Sequence, residues 1–357
     1  MDFDAFVLVS FGGPEGPDDV MPFLENVTRG RGVPPERLLS VAEHYQHFGG
    51  VSPINDQCRD LLAAVKADFA GKGIDLPVYW GNRNWRPFLA DTVGQMRDAG
   101  VRNALAFVTS PFGSFSSCRQ YLDDIAAARA EVGTGAPEIA KIRHFHDHPA
   151  YVGSHAQAVH VALESLPERS PVRTRLVFTA HSIPSTMDAA SGPGGVGRYG
   201  AQLRETAGLV AASAAPELPW DLVWQSRSGP PRVPWLAPDV NDHLENLAKE
   251  GVTEVVVSPI GFISDHLEVM WDLDVEAAET AARLGLRFAR AATPGSAPRF
   301  VEMISELVEE RLAPQGAVRH ALGTIPTWDV CPADCCLPAT RPVSDASAKP
   351  AGRRMVP

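Results

Sequence analysis

Apolar β-type runs recur along the chain, and a helical pattern follows nearly every one of them. The runs fall at Phe6–Phe11, Val78–Trp80, Ala104–Thr109 and Lys141–Phe145, and again at Leu176–Thr179, Leu222–Gln225, Val255–Ser258 and Leu286–Ala291. An unbroken apolar run of this length fits a strand buried on both faces, the condition of a parallel sheet covered by helices. Among the intervening stretches, Asp18–Val27, Phe88–Ala99, Cys118–Glu131, Val152–Glu164, Tyr199–Ala214, Val240–Lys249 and Arg299–Leu312 carry the helical period. Four strands and then four more predict an α/β fold: two similar Rossmann-like domains, each a four-stranded parallel sheet flanked by helices, with a cleft between them.

At 357 residues the chain outgrows one ordinary core, and the strand pattern divides it into domains at 1–150 and 151–312 with a C-terminal extension at 313–357. A net charge of -11 argues against nucleic acid or an anionic membrane as the main partner. No apolar run approaches the ~20 residues of a transmembrane helix. Met1-Asp2-Phe3-Asp4 lacks the basic start of a signal peptide, so a cytoplasmic protein without integral membrane association is expected. The extension is rich in Pro, Ala, Ser and Arg, and Ser344–Pro357 reads as disordered.

Chemistry concentrates where strands end. Thr253–Ser258 empties through Pro259-Ile-Gly-Phe-Ile-Ser into Asp265, His266 and Glu268, ahead of an amphipathic helix over Met270–Ala282. In open α/β sheets ligands sit outside the carboxyl ends of strands. A capping box from Ser264 or Asp265 to Glu268 is the plain structural alternative. Glu268, Asp272 and Glu276 continue at four-residue spacing, which sets like charges on one helical face, and a cation would relieve that repulsion. Oxygen donors beside an imidazole suit Fe(II), Mn(II) or Mg(II). A second strand, Thr174–Ala180, delivers His181 before Pro184, where an imidazole can move protons near neutral pH. Phe11, Phe112 to Tyr121 and Trp224-Gln225-Ser226 follow other strands, offering stacking area and orienting polar groups for a large flat ligand. Arg29, Arg31, His44, Tyr45 and Ser52 are available to meet carboxylates.

Gly192, Gly194 and Gly197 formally match the dinucleotide fingerprint, but no strand runs into them and Pro193 intrudes; a flexible loop over the cleft is expected and no nucleotide cofactor. Of the five cysteines, Cys331, Cys335 and Cys336 lie within six residues, which points to a metal or cluster in a reducing compartment. A [2Fe–2S] cluster needs four thiolates; Cys118, just after the third strand, is the better fourth ligand, and Cys58 reads as a buried core thiol. Free thiols, or zinc with help from His320, are the alternatives.

Phe11-Gly12-Gly13-Pro14, Arg29-Gly30-Arg31, Gly49-Gly50-Val51-Ser52-Pro53, Ala180-His181-Ser182-Ile183-Pro184, Trp224-Gln225-Ser226, Pro234-Trp235-Leu236 and Ser264-Asp265-His266-Leu267-Glu268 occur in this order. Together, over about residues 5 to 312, these strings resemble the ferrochelatases, and most of all the coproporphyrin III branch of actinobacteria. The resemblance implies a chelatase-like lyase that inserts Fe(II) into a porphyrin held between two domains. It implies His181 facing the pyrrole nitrogens, Glu268 as the carboxylate opposite it, Asp272 and Glu276 as a metal-delivery or proton path, and a cluster on Cys118, Cys331, Cys335 and Cys336. Phe11, Arg29, Ser52, Tyr121 and Trp224 become porphyrin contacts, and the product is expected to pass to the next enzyme of haem synthesis. Phe11 stands where other Gram-positive relatives have tyrosine, so an axial hydroxyl contact to the metal does not carry over, and Thr28 and His44 stand where they have arginine, so the same grip on the propionates is implied less strongly. A protoporphyrin IX ferrochelatase, a cobalt chelatase acting on a more reduced tetrapyrrole and a haem-binding or haem-transfer protein remain as rivals.

Overall fold

The computed structural model describes residues 2–30, 32–229, 232–313 and 317–338; Arg31 and the tail Ser344–Pro357 lie outside them. Among the described residues eight strands form two sheets: β1 Ala5–Ser10, β2 Val78–Asn82, β3 Asn103–Val108 and β4 Glu138–Lys141, then β5 Thr174–His181, β6 Trp220–Gln225, β7 Glu254–Ser258 and β8 Arg287–Arg290. Both sheets are wholly parallel and share one strand order, β2-β1-β3-β4 and β6-β5-β7-β8. All six residues of β1 and all five of β7 are buried, as expected of strands covered on both faces. The expected two-sheet α/β architecture is therefore observed.

Two expectations need correction. The fourth strand ends at Lys141 instead of running from Lys141 to Phe145: its ladder with β3 covers only Asn103–Ala106, and after Ile142 bonds to Ala106 no strand partner continues. Residues 142–148 form a buried irregular connection. The amphipathic stretch after Glu268 is not a plain α-helix, because Met270–Ala277 is wound as a π-helix before the α-helix Ala278–Leu284. The two halves also pack on each other. Helix Pro298–Leu312 of the second half packs on helix Ile54–Lys72 of the first, and one apolar core runs continuously through Phe6, Phe107, Phe145, Tyr151, Phe178 and Phe300.

A smaller apolar group joins the halves at the strand ends. Leu267 inserts among Val20, Phe23, Leu24, Ala42 and Tyr45 of helices Val20–Val27 and Pro35–His47. No helix among the described residues is long and apolar enough to cross a membrane.

Candidate active site

His181 is the last residue of β5, paired with Gln225 at the end of β6. Its side chain is 36% exposed, so it is not a core imidazole. Nδ1 lies 2.5 Å from the carbonyl oxygen of Ser182. A carbonyl only accepts, so Nδ1 carries a hydrogen and Nε2 faces outward. That atom is 3.7 Å from Glu268 Oε2. The carboxylate lies beside the imidazole.

Glu268 arrives there through a close backbone crossing. Gly261 donates to the Thr179 carbonyl at 3.1 Å, and a Cβ on it would meet Ala180 Cβ at 2.6 Å, so only glycine lets the loop after β7 cross the end of β5. The capping-box alternative is not observed: His266 occupies the N-cap of helix Leu267–Val269 without a side-chain bond, and Asp265 instead pairs with Arg290 at 3.0 Å. The Asp265 backbone N–H also reaches across to Gln57 Oε1, 2.9 Å away in the first half. Burial pushes the His266 imidazole below its ordinary range.

The π-helix sets the rest of the acidic row. Asp272 accepts from Gln225 Nε2 at 3.2 Å and from the Ser226 hydroxyl. Burial raises its carboxyl to about 7, and the charges of Glu268 and Glu276 push the same way. Glu276 Oε1 accepts from the indole of Trp271 at 2.9 Å, a five-residue separation that suits π-helical winding.

The first half supplies aromatic and basic groups. Arg83, which the sequence reading missed, lies with its guanidinium 4.4 Å over Tyr121 and 5.8 Å from Phe11, tied to Asp124. Its only sequence signal is its place directly after β2. Tyr121 is buried, Phe11 half-buried. Ser52 is buried against Gly13, Arg29 is exposed beyond helix Val20–Val27, and Trp224 is buried against Tyr199. Tyr199 was also missed, and its hydroxyl donates to the His181 carbonyl at 2.9 Å.

The cysteines converge as well. Cys118, in the π-helical turn Phe115–Arg119, contacts Cys331; Cys331 contacts Cys335; and Cys335 Sγ is 3.7 Å from Cys336 Sγ. Hydrogen bonds from Cys118 and Cys335 pull Cys331 down to about 3. Cys58 is buried in the core away from them, its thiol raised to about 11 by that burial. The glycine loop does not float over the cleft: Gly192 N–H donates to Cys336 Sγ at 3.3 Å and Gly194 N–H to Asp334 at 3.1 Å. Among the described residues no group of three or more His, Cys, Asp or Glu side chains is arranged to hold one metal ion.

Two parallel sheets of matching order, with a histidine and a carboxylate meeting over the strand ends, define a chelatase-type α/β protein. SirB from Bacillus subtilis, solved with Fe3+, shares the fold at a TM-score of 0.54 and 12% identity, covering 88% of this chain and 96% of that one. The sequence matches the ferrochelatase family over residues 3–312. It is 54% identical to a coproporphyrin III ferrochelatase of Nocardia farcinica, over 96% of this chain and 99% of the relative. Identity is 57% to one from Mycolicibacterium smegmatis, over 87% and 91%, and 52% to a ferrochelatase of Rhodopirellula baltica, over 98% and 97%. The chain belongs to the ferrochelatase family.

Proposed function

We propose that this protein inserts Fe(II) into coproporphyrin III, yielding the iron porphyrin for haem synthesis. The observation that carries the reading is the free Nε2 of His181 turned towards Glu268 at 3.7 Å, on a chain so similar to coproporphyrin III ferrochelatases. Metallation requires two pyrrole N–H protons to leave while a hydrated cation sheds water. His181 takes protons through Nε2, a role worth roughly 10²–10⁴-fold in rate. Glu268, beside it, exchanges metal or proton with Asp272 and Glu276. Bending the ring exposes the nitrogen lone pairs, at a strain of about 1–5 kcal/mol supplied by contacts remote from the metal. Phe11, Tyr121 and Trp224 line the porphyrin site in this reading, and Arg29 and Ser52 meet its propionates.

A [2Fe–2S] cluster on Cys118, Cys331, Cys335 and Cys336 belongs to the same proposal. Such a cluster takes two sulfurs on each iron, so it calls for pairs of thiols and not three donors around one ion. The contacts Cys118–Cys331 and Cys335–Cys336 provide two pairs, and the Gly192 N–H bond stabilises charge on Cys336. When bound, the cluster would supply a redox-active centre tying both halves to the C-terminal extension. The protein works in the cytoplasm on this reading, and hands its product to the following enzyme.

The test is a steady-state assay with Fe(II) or Co(II) and either coproporphyrin III or protoporphyrin IX, the product identified by mass. A much higher kcat/KM for Fe(II) with coproporphyrin III is expected, because a substrate lacking carboxylates leaves site donors unpaired. Equal specificity constants for the two porphyrins would refute the substrate assignment; preference for Co(II), or binding without turnover, would refute the reaction.

A further inference from the structure

The cysteine group and His181 lie in different parts of the molecule, yet buried hydrogen bonds lead from one to the other. Gly192 N–H donates to Cys336 Sγ at 3.3 Å. The preceding residue, Ser191, is fully buried; its hydroxyl donates to the Asp188 carbonyl at 2.6 Å and accepts from the Tyr199 backbone N–H at 2.9 Å. Tyr199, itself buried, closes the sequence with its hydroxyl 2.9 Å from the His181 carbonyl.

That last bond falls at a sensitive place. His181 ends β5, so its carbonyl is at the margin of the sheet. The peptide plane joining His181 to Ser182 is held through its N–H by the Gln225 carbonyl at 2.8 Å and through its C=O by Tyr199. Ser182 in turn offers the carbonyl that fixes the imidazole through Nδ1. Releasing Tyr199 leaves the plane held from one side, and the imidazole inherits that freedom.

The other end is anchored by the extension. Gly192 has a φ of +82°, and a Cβ there would meet Arg198 Nε at 2.7 Å. Arg198 itself donates to the Pro326 carbonyl at 2.7 Å and lies 4.7 Å over Trp328. The turn is thus shaped by the segment that carries the three C-terminal cysteines, and a shift of Cys336 is passed to Ser191 directly through the backbone.

We propose that the four-cysteine group is coupled to His181 through Gly192, Ser191 and Tyr199. Tyr199 is then a positioning residue whose influence on metal insertion depends on the state of Cys336. The kinetic part rests on the assignment of His181 as proton acceptor; the structural part does not. A contiguous set of contacts establishes a route and not a coupling, so the test must measure non-additivity.

The full-length protein, purified anaerobically, is compared as wild type, Tyr199→Phe, Cys336→Ser, the double variant and Ser191→Ala. Two quantities are read: amide hydrogen exchange in the segment 179–184, and kcat with the KM values for coproporphyrin III and Fe(II). Tyr199→Phe and Cys336→Ser should each speed exchange at Ser182 and lower kcat, both by about 5- to 10-fold, with porphyrin KM within about 2-fold of wild type. In the double variant the loss should match that of Tyr199→Phe alone. Ser191→Ala should reproduce the effect with all thiols in place, and it replaces Cys336→Ser in the cycle if that variant does not fold. Losses that multiply in the double variant overturn the proposal, as does unchanged exchange at 179–184 in both Cys336→Ser and Ser191→Ala. A wild type that metallates no porphyrin removes the proposed function, while the exchange data still decide the coupling.

Discussion

His44 lies flat on Trp271, with ring centroids 4.0 Å apart and planes within 9°, although the two residues come from opposite halves of the molecule. His47 meets the same indole edge-on at 5.4 Å. Helix Pro35–His47 is thereby seated on the π-helix that bears Asp272 and Glu276, and the charges of Glu276, Arg37, Glu43 and Glu268 all act on His44.

Removing that indole should loosen the seam. An aromatic pair contributes about 0.5–1.5 kcal/mol beyond area burial, and each kcal/mol is worth about 2–4 °C for domains near this size. Trp271→Ala is expected to lower the calorimetric midpoint by several degrees, and Trp271→Phe, which keeps the stack but not the bond to Glu276, by distinctly less. Equal midpoints for the two variants would mean the stack contributes nothing.

His181→Ala should reduce kcat by at least about 10²-fold with porphyrin affinity nearly intact, because only the proton acceptor is lost. Fluorescence titration separates binding from turnover. A variant retaining more than about a tenth of wild-type turnover would be incompatible with the role given to Nε2.

Asp272 makes stability depend on pH. Its carboxyl is raised from 3.8 to about 7, so the folded protein binds this proton more tightly than the unfolded chain. The stability it contributes is complete below about pH 4 and is lost as pH rises through about 7. Asp272→Asn should remove that decline. Urea midpoints at pH 8 are therefore expected to be higher for the variant than for wild type, and a lower value would contradict the assignment.

His155 has the opposite sign. Burial alone drives its imidazole from 6.5 down to about 3, and among the described residues neither ring nitrogen has a hydrogen-bond partner. The unfolded chain takes up this proton first, so stability present above about pH 6.5 is lost as pH falls towards 3. His155→Leu should lose less stability between pH 7 and pH 4 than wild type does. Parallel urea titrations at the two pH values check this, and identical losses would argue against a buried neutral histidine.

Anaerobically purified protein should be red-brown, with about two non-haem irons per chain. Cys118→Ser should abolish the colour and Cys58→Ser leave it, since Cys58 is a core thiol outside the group. Colourless wild type without acid-labile sulfide, from iron-replete cells, would end the cluster proposal.

Several of these features could be read before any coordinates. Apolar runs marked strands such as β1, β3 and β7, because burial on both faces leaves no room for polar alternation, whereas the edge strand β4 opens on the exposed Glu138 and lies earlier than the sequence pattern places it. His181 and the 264–268 segment stood out because strand ends are fixed by the chain itself. The winding of Met270–Ala277 did not, since the four-residue acidic spacing that suggests an α-helix carries no record of the wider turn that packing imposes there. What the tertiary structure alone decided lies between residues far apart in sequence. It placed Glu268 beside His181, set Arg83 over Tyr121, laid His44 on Trp271 and brought Tyr199 to the His181 carbonyl. Periodicity records only which way a side chain faces along its own element. Which partner it meets there depends on how the two sheets and the crossing helix Pro298–Leu312 are docked, and that is settled by the packing of the whole core.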